Sequence, residues 1–94
     1  MSAWFYILRL RSGHLYPGAT TDLQRRWHEH LLGEACRTTK YDQPVQLAYS
    51  EEHPTFSVAR CRESQIKRWS AKKKEALIAG DMTKLKLLAK RRNP

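Results

Sequence analysis

The sequence predicts a mixed α/β domain of the α+β kind, with the element order β-β-α-β-α-α. Three observations predict it: a strand-turn-strand pattern near the N-terminus, a period-two strand after a polar loop, and apolar residues at helical spacing elsewhere. A chain of 94 residues is too short to bury two cores of useful size, so we expect one domain over residues 1–94 with a frayed C-terminus.

The first two strands should form an antiparallel hairpin. Residues 4–11 are rich in strand-forming side chains and have apolar residues on both faces, which indicates a central strand. Residues 12–13 are a turn signal, and residues 14–16 return as the second arm. Because Pro17 cannot donate to a ladder, this arm should lie at a sheet edge, and Gly18 after it permits backbone angles that other residues avoid.

Tyr6 and Tyr16 lie on the two arms of this hairpin. They project from the same face only if the numbers of paired residues sum to an even number. A two-residue loop would pair Arg11 with His14 and separate the tyrosines. We therefore expect an odd number of loop residues or a bulge, aided by a positive φ at Gly13.

The helix that follows has signals at both ends. It should begin near Asp22, where Thr21 and Gln24 fit a capping box. Gly33 marks its end. Residues 34–43 show no periodicity and are predicted to form a polar, basic loop.

One face of this helix should cover the core. Leu23, Trp27 and Leu31 form the apolar stripe, and Arg26 and His30 lie on its margin. An arginine in that position either lays its methylenes on the core and extends its head into water, or faces the neighbouring strand end as part of a site. The helix alone leaves both interpretations open.

The second half of the chain should hold one more strand and two helices. Residues 45–50 alternate in period two as an edge strand. A long helix should run from its N-cap at Thr55 to about Ala79, stopped by Gly80. Asp81 can cap a short final helix. The apolar stripe of that helix comprises Met82, Leu85, Leu88 and Ala89.

A carboxylate interrupts the apolar stripe of the long helix. Glu63 lies between Ala59 and Ile66 on the same face. An ion pair with Lys67 or Arg60 would explain it. The alternative is a ligand for a hard divalent cation, which prefers carboxylate oxygens and keeps several waters.

The charge balance points to a polyanionic partner. Eighteen Lys and Arg residues against nine Asp and Glu residues give a formal net charge of +9, which favours nucleic acid, with acidic lipid as the competing interpretation. Because no apolar run approaches a membrane span and the N-terminus lacks a signal-peptide pattern, we expect a cytoplasmic protein without membrane association. Cys36 and Cys61 fit no metal spacing and are predicted to be free thiols.

Two groups of basic residues are candidates for phosphate contacts. In the polar loop, Arg37 and Lys40 could touch phosphates together with Thr38, Thr39 and Tyr41, although a solvated loop explains them equally well. A larger group is concentrated in the C-terminal third: Lys67, Arg68, Lys72, Lys73, Lys74, Lys84, Lys86, Lys90, Arg91 and Arg92. Each of these fits a solvated helix face when taken singly, and only the cluster argues for nucleic-acid binding.

Short motifs in chain order carry a resemblance to a known family. They are Phe5-Tyr6-Ile7, Tyr16-Pro17-Gly18, Arg26 and His30 on the next helix, and Glu63 on a later helix. In order and spacing they resemble the GIY-YIG nuclease domain, and Pro44-Val45 with residues 65–70 look like its small stand-alone bacterial members. The sequence departs from the motifs at Phe5, in place of the first glycine, and at Pro17, in the middle of the second triplet.

The resemblance implies a three-stranded antiparallel sheet flanked by helices and cleavage of a DNA phosphodiester with one divalent metal, Mg²⁺ or Mn²⁺. By position, Tyr6 and Tyr16 match the paired tyrosines of the family, the first of which is implicated in activating the attacking water. Arg26 matches the arginine beside the scissile phosphate, His30 a common histidine, and Glu63 the metal ligand. A tyrosine is a poor base near its ordinary pKa of about 10, so we expect Arg26, the metal and the basic surroundings to depress it.

Two functions compete at this point. The first is a metal-dependent DNA endonuclease, acting on branched or damaged DNA in repair or recombination, with or without a partner protein that targets it. The second is a basic module of the same fold that binds nucleic acid and cleaves nothing. An inward carboxylate favours the enzyme, because it would repel phosphate in a protein that only binds.

Overall fold

The computed structural model describes residues 2–86 of the chain. The strands and helices follow the order that the sequence predicted, except that the polar loop contains a short additional helix and the predicted long helix is divided in two. They are β1 (Ala3–Leu10), β2 (Leu15–Thr20), α1 (Leu23–Leu31), α2 (Arg37–Tyr41), β3 (Pro44–His53), α3 (Phe56–Lys67) and α4 (Ala71–Ala79), followed by a helical turn at 82–86.

The three strands form one antiparallel sheet in the order β2-β1-β3, so β1 is central and the other two are edges, as predicted. On one face of β1, Tyr6, Leu8 and Leu10 form a front core with α1. On the other face, Phe5 and Ile7 form a back core with α3 and α4. Both faces of β1 are covered, which explains its apolar residues at successive positions.

The residues of the hairpin pair in the register that places Tyr6 and Tyr16 on the same face of the sheet. Tyr6 pairs with Gly18 and Leu8 with Tyr16, so the paired numbers sum to an even value. The loop spans residues 11–13 because the amide of Leu10 donates to the carbonyl of His14 (2.9 Å). Gly13 has a φ of 94°. The prediction that both tyrosines project from one face of the sheet is confirmed.

The second strand is longer than predicted. It continues through Pro17, which pairs opposite Ile7, and through Gly18 to Thr20. Proline fits there because β2 is an edge strand whose outer side has no ladder partner. The expectation of special backbone angles at Gly18 is wrong, since its φ is not positive.

The first helix differs from the prediction in its cap and its buried face. Asp22, not Thr21, is the N-cap and accepts from the amide of Arg25 (3.0 Å). His30 is almost fully buried, whereas Leu31 is 43% exposed. The buried stripe is therefore rotated toward His30 relative to the stripe that hydrophobicity alone predicted.

Residues 34–43 are not a plain loop, because they contain α2 with its buried Thr39. The long helix predicted from Thr55 to Ala79 is also wrong. It is divided into α3 and α4 at Ser70, which caps α4 by accepting from the amide of Lys73 (3.2 Å). Thr55 caps α3 as predicted.

The helix break lets α4 turn back onto the sheet. Arg9 of β1 donates two hydrogen bonds to the carboxylate of Glu75 (2.7 and 2.8 Å), and Ala76 and Leu77 enter the back core. Gly80 ends α4 in the left-handed conformation, as expected from its position. These contacts fix α4 against the central strand.

Asp81 caps the turn at 82–86 by accepting from the amide of Lys84 (2.9 Å), and Leu85 is buried while Met82 is exposed. Two residues of the predicted apolar stripe, Leu88 and Ala89, lie outside the described residues, as do Lys90, Arg91 and Arg92 of the predicted basic cluster. Cys36 and Cys61 are free thiols. Within residues 2–86, no helix combines the length and the apolar character needed to cross a bilayer.

Candidate active site

The site is built on Tyr6 of β1 and Gly18 of β2, which pair with each other across the two strands. The ring of Tyr6 lies directly over Gly18, and a Cβ at that position would clash with the ring, coming within 2.8 Å of its Cε1 atom. Gly18 is required here for the close approach of a side chain. The glycine thereby lets the Tyr6 ring lie flat across the neighbouring strand.

A chain of hydrogen bonds anchors the Tyr6 hydroxyl. It lies 2.9 Å from Nε2 of His30, whose Nδ1 lies 2.8 Å from Oγ1 of Thr39. Thr39 in turn lies 3.3 Å from Sγ of Cys36. Burial, aided by the positive charge of Arg26, lowers the pKa of His30 to about 4, so the imidazole is neutral at physiological pH.

Tyr16 completes the pair of tyrosines from the edge strand. Its ring meets the ring of His30 edge to face, with centroids 5.5 Å apart. Burial, and then its hydrogen bond to Cys36, raise the pKa of the Tyr16 phenol well above its ordinary value. Burial alone would raise the pKa of the Cys36 thiol, but hydrogen bonds from Thr39 and Tyr16 bring it below its ordinary value.

Arg26 reaches the same place from α1. It lines one small void with Tyr6 and His30, and its Nη1 donates to Glu29 (3.1 Å). Its Nε is buried and has no hydrogen-bond partner among residues 2–86. The side chain is 37% exposed, so its position on the margin of the core buries the guanidinium only in part.

Glu63 approaches the tyrosines from α3, which packs along β2 and β1. It is partly buried and forms no ion pair with Lys67 or Arg60 in the part of the chain that the structure describes. Its negative charge acts on both phenols, adding to burial in raising the pKa values of Tyr6 and Tyr16. An ion pair with Lys67 or Arg60 therefore does not explain why the carboxylate of Glu63 faces inward.

The protein environment does not depress the pKa of Tyr6, contrary to the expectation from its basic surroundings. Burial raises the pKa, and this outweighs the lowering effect of the Arg26 guanidinium. At neutral pH the phenol is therefore protonated in the protein alone.

The predicted phosphate-binding residues lie in two separate places. Arg37 and Lys40 are exposed on α2, with the ammonium of Lys40 5.7 Å from the ring centroid of Tyr41. Lys67, Arg68 and Lys72 are exposed around the break between α3 and α4. Lys73 is partly buried, with its ammonium 4.2 Å from the ring centroid of Trp69.

Sequence reasoning missed two residues of the site and one beside it. Thr39 and Cys36 belong to a segment without periodicity, so nothing in the sequence placed them near His30. Phe56 is 41% exposed and lines a cleft next to Arg26, whereas the sequence suggested only an ordinary first helical turn. The one available signal in the sequence was an aromatic residue, Phe56, directly after the predicted N-cap at Thr55.

The fold and the order of its sequence motifs are those of a nuclease-type domain. The chain belongs to the GIY-YIG family, since the family model described as the GIY-YIG catalytic domain matches residues 2–76. It is 39% identical over 75 residues to a UPF0213 protein of Bacillus pumilus, covering 80% of this chain and 76% of the relative. It is 35% identical over 88 residues to a UPF0213 protein of Klebsiella pneumoniae, covering 93% of this chain and 83% of the relative.

A solved structure has a similar fold. It is the solution NMR structure of a UPF0213 protein from Bacillus halodurans, with a TM-score of 0.55 and 32% sequence identity over 86% of each chain. The three-stranded antiparallel sheet with flanking helices, predicted from the sequence, is thereby confirmed.

Proposed function

We propose that the protein is an endonuclease that hydrolyses DNA phosphodiester bonds with one divalent cation, Mg²⁺ or Mn²⁺. The observation that carries the proposal is the convergence of two tyrosines, an arginine and a carboxylate from four different elements. Arg26 lines the same small void as Tyr6, and the negative charge of Glu63 contributes to the raised pKa values of both tyrosines. Tyr6 and Tyr16 also pack in the front core, but that packing does not require the charged groups of Arg26 and Glu63.

The residues present fit a single hard cation. Glu63 is a partly buried carboxylate without an ion-pair partner among the described residues. No group of three or more His, Cys, Asp or Glu side chains that could enclose a metal occurs within residues 2–86. Mg²⁺ is commonly held by one or two carboxylates together with waters and substrate phosphates, so Glu63 alone suffices as the protein ligand. When bound, the ion supplies Lewis-acid stabilisation of charge on the phosphate oxygens.

Arg26 is the second source of positive charge. A guanidinium matches the geometry of phosphate oxygens, and hydrolysis increases the negative charge on them. Glu29 accepts from Nη1 of Arg26, and Nε is buried out of reach of a ligand. The side chain is nevertheless 37% exposed, so the rest of the guanidinium can donate to a phosphate.

Tyr6 and His30 position the attacking water. Because the phenol is protonated in the protein alone, its direct contribution is to hold a water by hydrogen bonding, with the ring fixed over Gly18 and the hydroxyl fixed by His30. Tyr16, the second phenol on the same face, limits where that water lies. Besides a positioned water, cleavage requires that the negative charge on the phosphate be stabilised. Arg26 and the cation provide the positive charge for this.

The proposed substrate is branched or damaged DNA, cleaved in the cytoplasm during repair or recombination. A partner protein can supply the targeting. The formal charge of +9 supports a nucleic acid partner. The same charge also supports the second candidate, a module that binds DNA without cleaving it. The exposed basic residues around the break between α3 and α4 suit either function.

The experiment compares the wild type with Glu63→Gln on linear, flapped and four-way DNA in the presence of Mg²⁺ or Mn²⁺. We expect cleavage to collapse, while DNA affinity measured without metal holds or rises slightly because a negative charge has been removed. Glu52→Gln is the matched control, since Glu52 is an exposed carboxylate on β3. It should cleave like the wild type.

Arg26→Ala separates the two candidate functions. For an enzyme it should abolish cleavage with only a modest loss of affinity, because its interaction is stronger in the transition state. A wild-type protein that binds DNA but shows no metal-dependent cleavage would favour the binding module. An active Glu63→Gln protein would remove the metal assignment.

A further inference from the structure

An open cleft of about 260 Å³ lies beside the candidate active site. Its walls are the end of β2, the first turns of α1 and the start of α3. The lining residues are Ala19, Thr20, Thr21, Arg25, Arg26 and Phe56. Arg26 lines both this cleft and the void with Tyr6, so the two places are adjacent.

The cleft combines an aromatic face with positive charge. Phe56 is 41% exposed, although it is the first residue of a helix that packs on the sheet. The guanidinium of Arg60 lies 5.9 Å from the ring centroid of Phe56. The side chain of Arg25 is 62% exposed, with its Nε 3.9 Å from the carboxylate of Glu29. Among the described residues that line the cleft, none is acidic.

We propose that this cleft binds one unpaired base of a DNA strand, stacked on Phe56, next to the phosphate that Arg26 holds. The inference rests on the proposed function only in that Arg26 contacts a DNA phosphate. Arg25 and Arg60 neutralise the flanking phosphates. The substrate class is thereby DNA with single-stranded or flapped nucleotides beside the cleavage position.

Chemistry favours this occupant over a paired base or an apolar peptide. Single-stranded nucleic acid is bound by aromatic side chains on which bases stack, with cationic side chains along the backbone. A base inside a duplex is already stacked on both sides and cannot present its face to a side chain. Two arginines beside the ring match a backbone with one negative charge per nucleotide, which a neutral apolar peptide lacks.

The test is made without metal in the Glu63→Gln protein, so that cleavage does not enter. Affinity is measured for a short single strand, a flapped duplex and a blunt duplex. Phe56→Ala should weaken binding of the single strand and the flap about five- to a hundredfold, the range expected for one stacked base. Binding of the blunt duplex should be unchanged. Phe56→Tyr, which keeps a stacking face, should restore the affinity.

Two further measurements make the result specific. Val58→Ala is the control, since Val58 is 43% exposed on the same helix and does not line the cleft. It should leave all three affinities unchanged. The fluorescence of 2-aminopurine, placed at successive positions of the flap, should be quenched at one position only, and the quenching should be lost in Phe56→Ala. Melting curves verify that each variant is folded.

An equal loss of affinity for all three DNAs in Phe56→Ala, or no loss, would overturn the proposal. Its failure is distinguishable from failure of the proposed function. If the wild type never cleaves DNA but Phe56→Ala loses flap affinity selectively, the base site stands and the nuclease activity does not. If the wild type cleaves and Phe56→Ala binds normally, the reverse holds.

Discussion

The hydroxyl of Tyr6 lies 2.9 Å from Nε2 of His30, and both side chains are at least 98% buried. This contact joins the central strand to α1 and holds a polar pair inside the front core. Burial of the imidazole disfavours its charged form, which is why its pKa falls to about 4. A buried neutral histidine couples the stability of the fold to pH.

The first prediction concerns that coupling. The pKa of His30 is near 6.5 in the unfolded chain and about 4 in the fold, so the unfolded state binds more protons between these values. Stability from this group is complete above about pH 6.5 and is lost as the pH falls toward 4. The full loss is on the order of 3 kcal/mol. Urea denaturation across this pH range measures it.

The control for this measurement lies on the same helix. His28 is exposed, so His28→Gln should retain the pH dependence of the wild type, whereas His30→Gln should lose the part due to the buried imidazole. Identical pH profiles for His30→Gln and the wild type would contradict the assignment.

The second prediction concerns the tautomer of His30. Either atom can donate in the contact between Oγ1 of Thr39 and Sγ of Cys36. If Thr39 donates to the sulfur, its oxygen is free to accept from Nδ1 of His30. We expect the proton on Nδ1 and the hydroxyl of Tyr6 donating to Nε2. The ¹⁵N chemical shifts of the imidazole distinguish the two tautomers.

Thr39→Val tests the same chain of hydrogen bonds through its effect on the free energy of unfolding. It leaves Nδ1 of a buried imidazole without a partner, which should cost about 1–3 kcal/mol of unfolding free energy. Thr39→Ser should recover most of the loss because it keeps the hydroxyl. The exposed neighbour provides the control, and Thr38→Val should change stability little.

The third prediction contrasts two glycines of the hairpin. Gly18→Ala should displace the Tyr6 ring and abolish any cleavage, because the added Cβ would clash with that ring. Gly13→Ala should leave the site intact but lower stability by about 1–2 kcal/mol, since its φ of 94° is unfavourable for alanine. Cleavage assays and denaturation of both variants provide the comparison. Full activity in a folded Gly18→Ala protein would show that the ring can be accommodated elsewhere.

The fourth prediction concerns DNA binding. If several Lys and Arg side chains contact phosphates, the affinity should fall steeply with salt, with a slope of about 0.9 per contact in log K against log salt for duplex DNA. The affinity should depend little on base sequence. A titration from low to moderate salt measures the slope, and an affinity that does not change would contradict an electrostatic interface.

The sequence was most informative where local chemistry decides the structure. The register of the hairpin followed from the parity of Tyr6 and Tyr16 together with a glycine able to take a positive φ at Gly13. The caps at Thr55 and Asp81 were also readable, because a side-chain oxygen acts within one turn of its own position.

Tertiary contacts decided what local patterns could not. The segment 71–79 is helix-compatible in the sequence, and it is separated from α3 because Glu75 pairs with Arg9 and Leu77 joins the back core. The burial of His30 has the same origin, since a polar side chain enters a core only where partners such as Thr39 satisfy it.

The back core extends past the region matched by the family. That region ends at residue 76, yet Leu77 and Leu85 are both buried against the sheet, the latter held by the turn that Asp81 caps. A fragment trimmed to the matched boundary would expose the apolar surface that these two leucines cover. We therefore expect a fragment that ends at residue 76 to be less stable than one that keeps both leucines, and truncation experiments should be planned from packing.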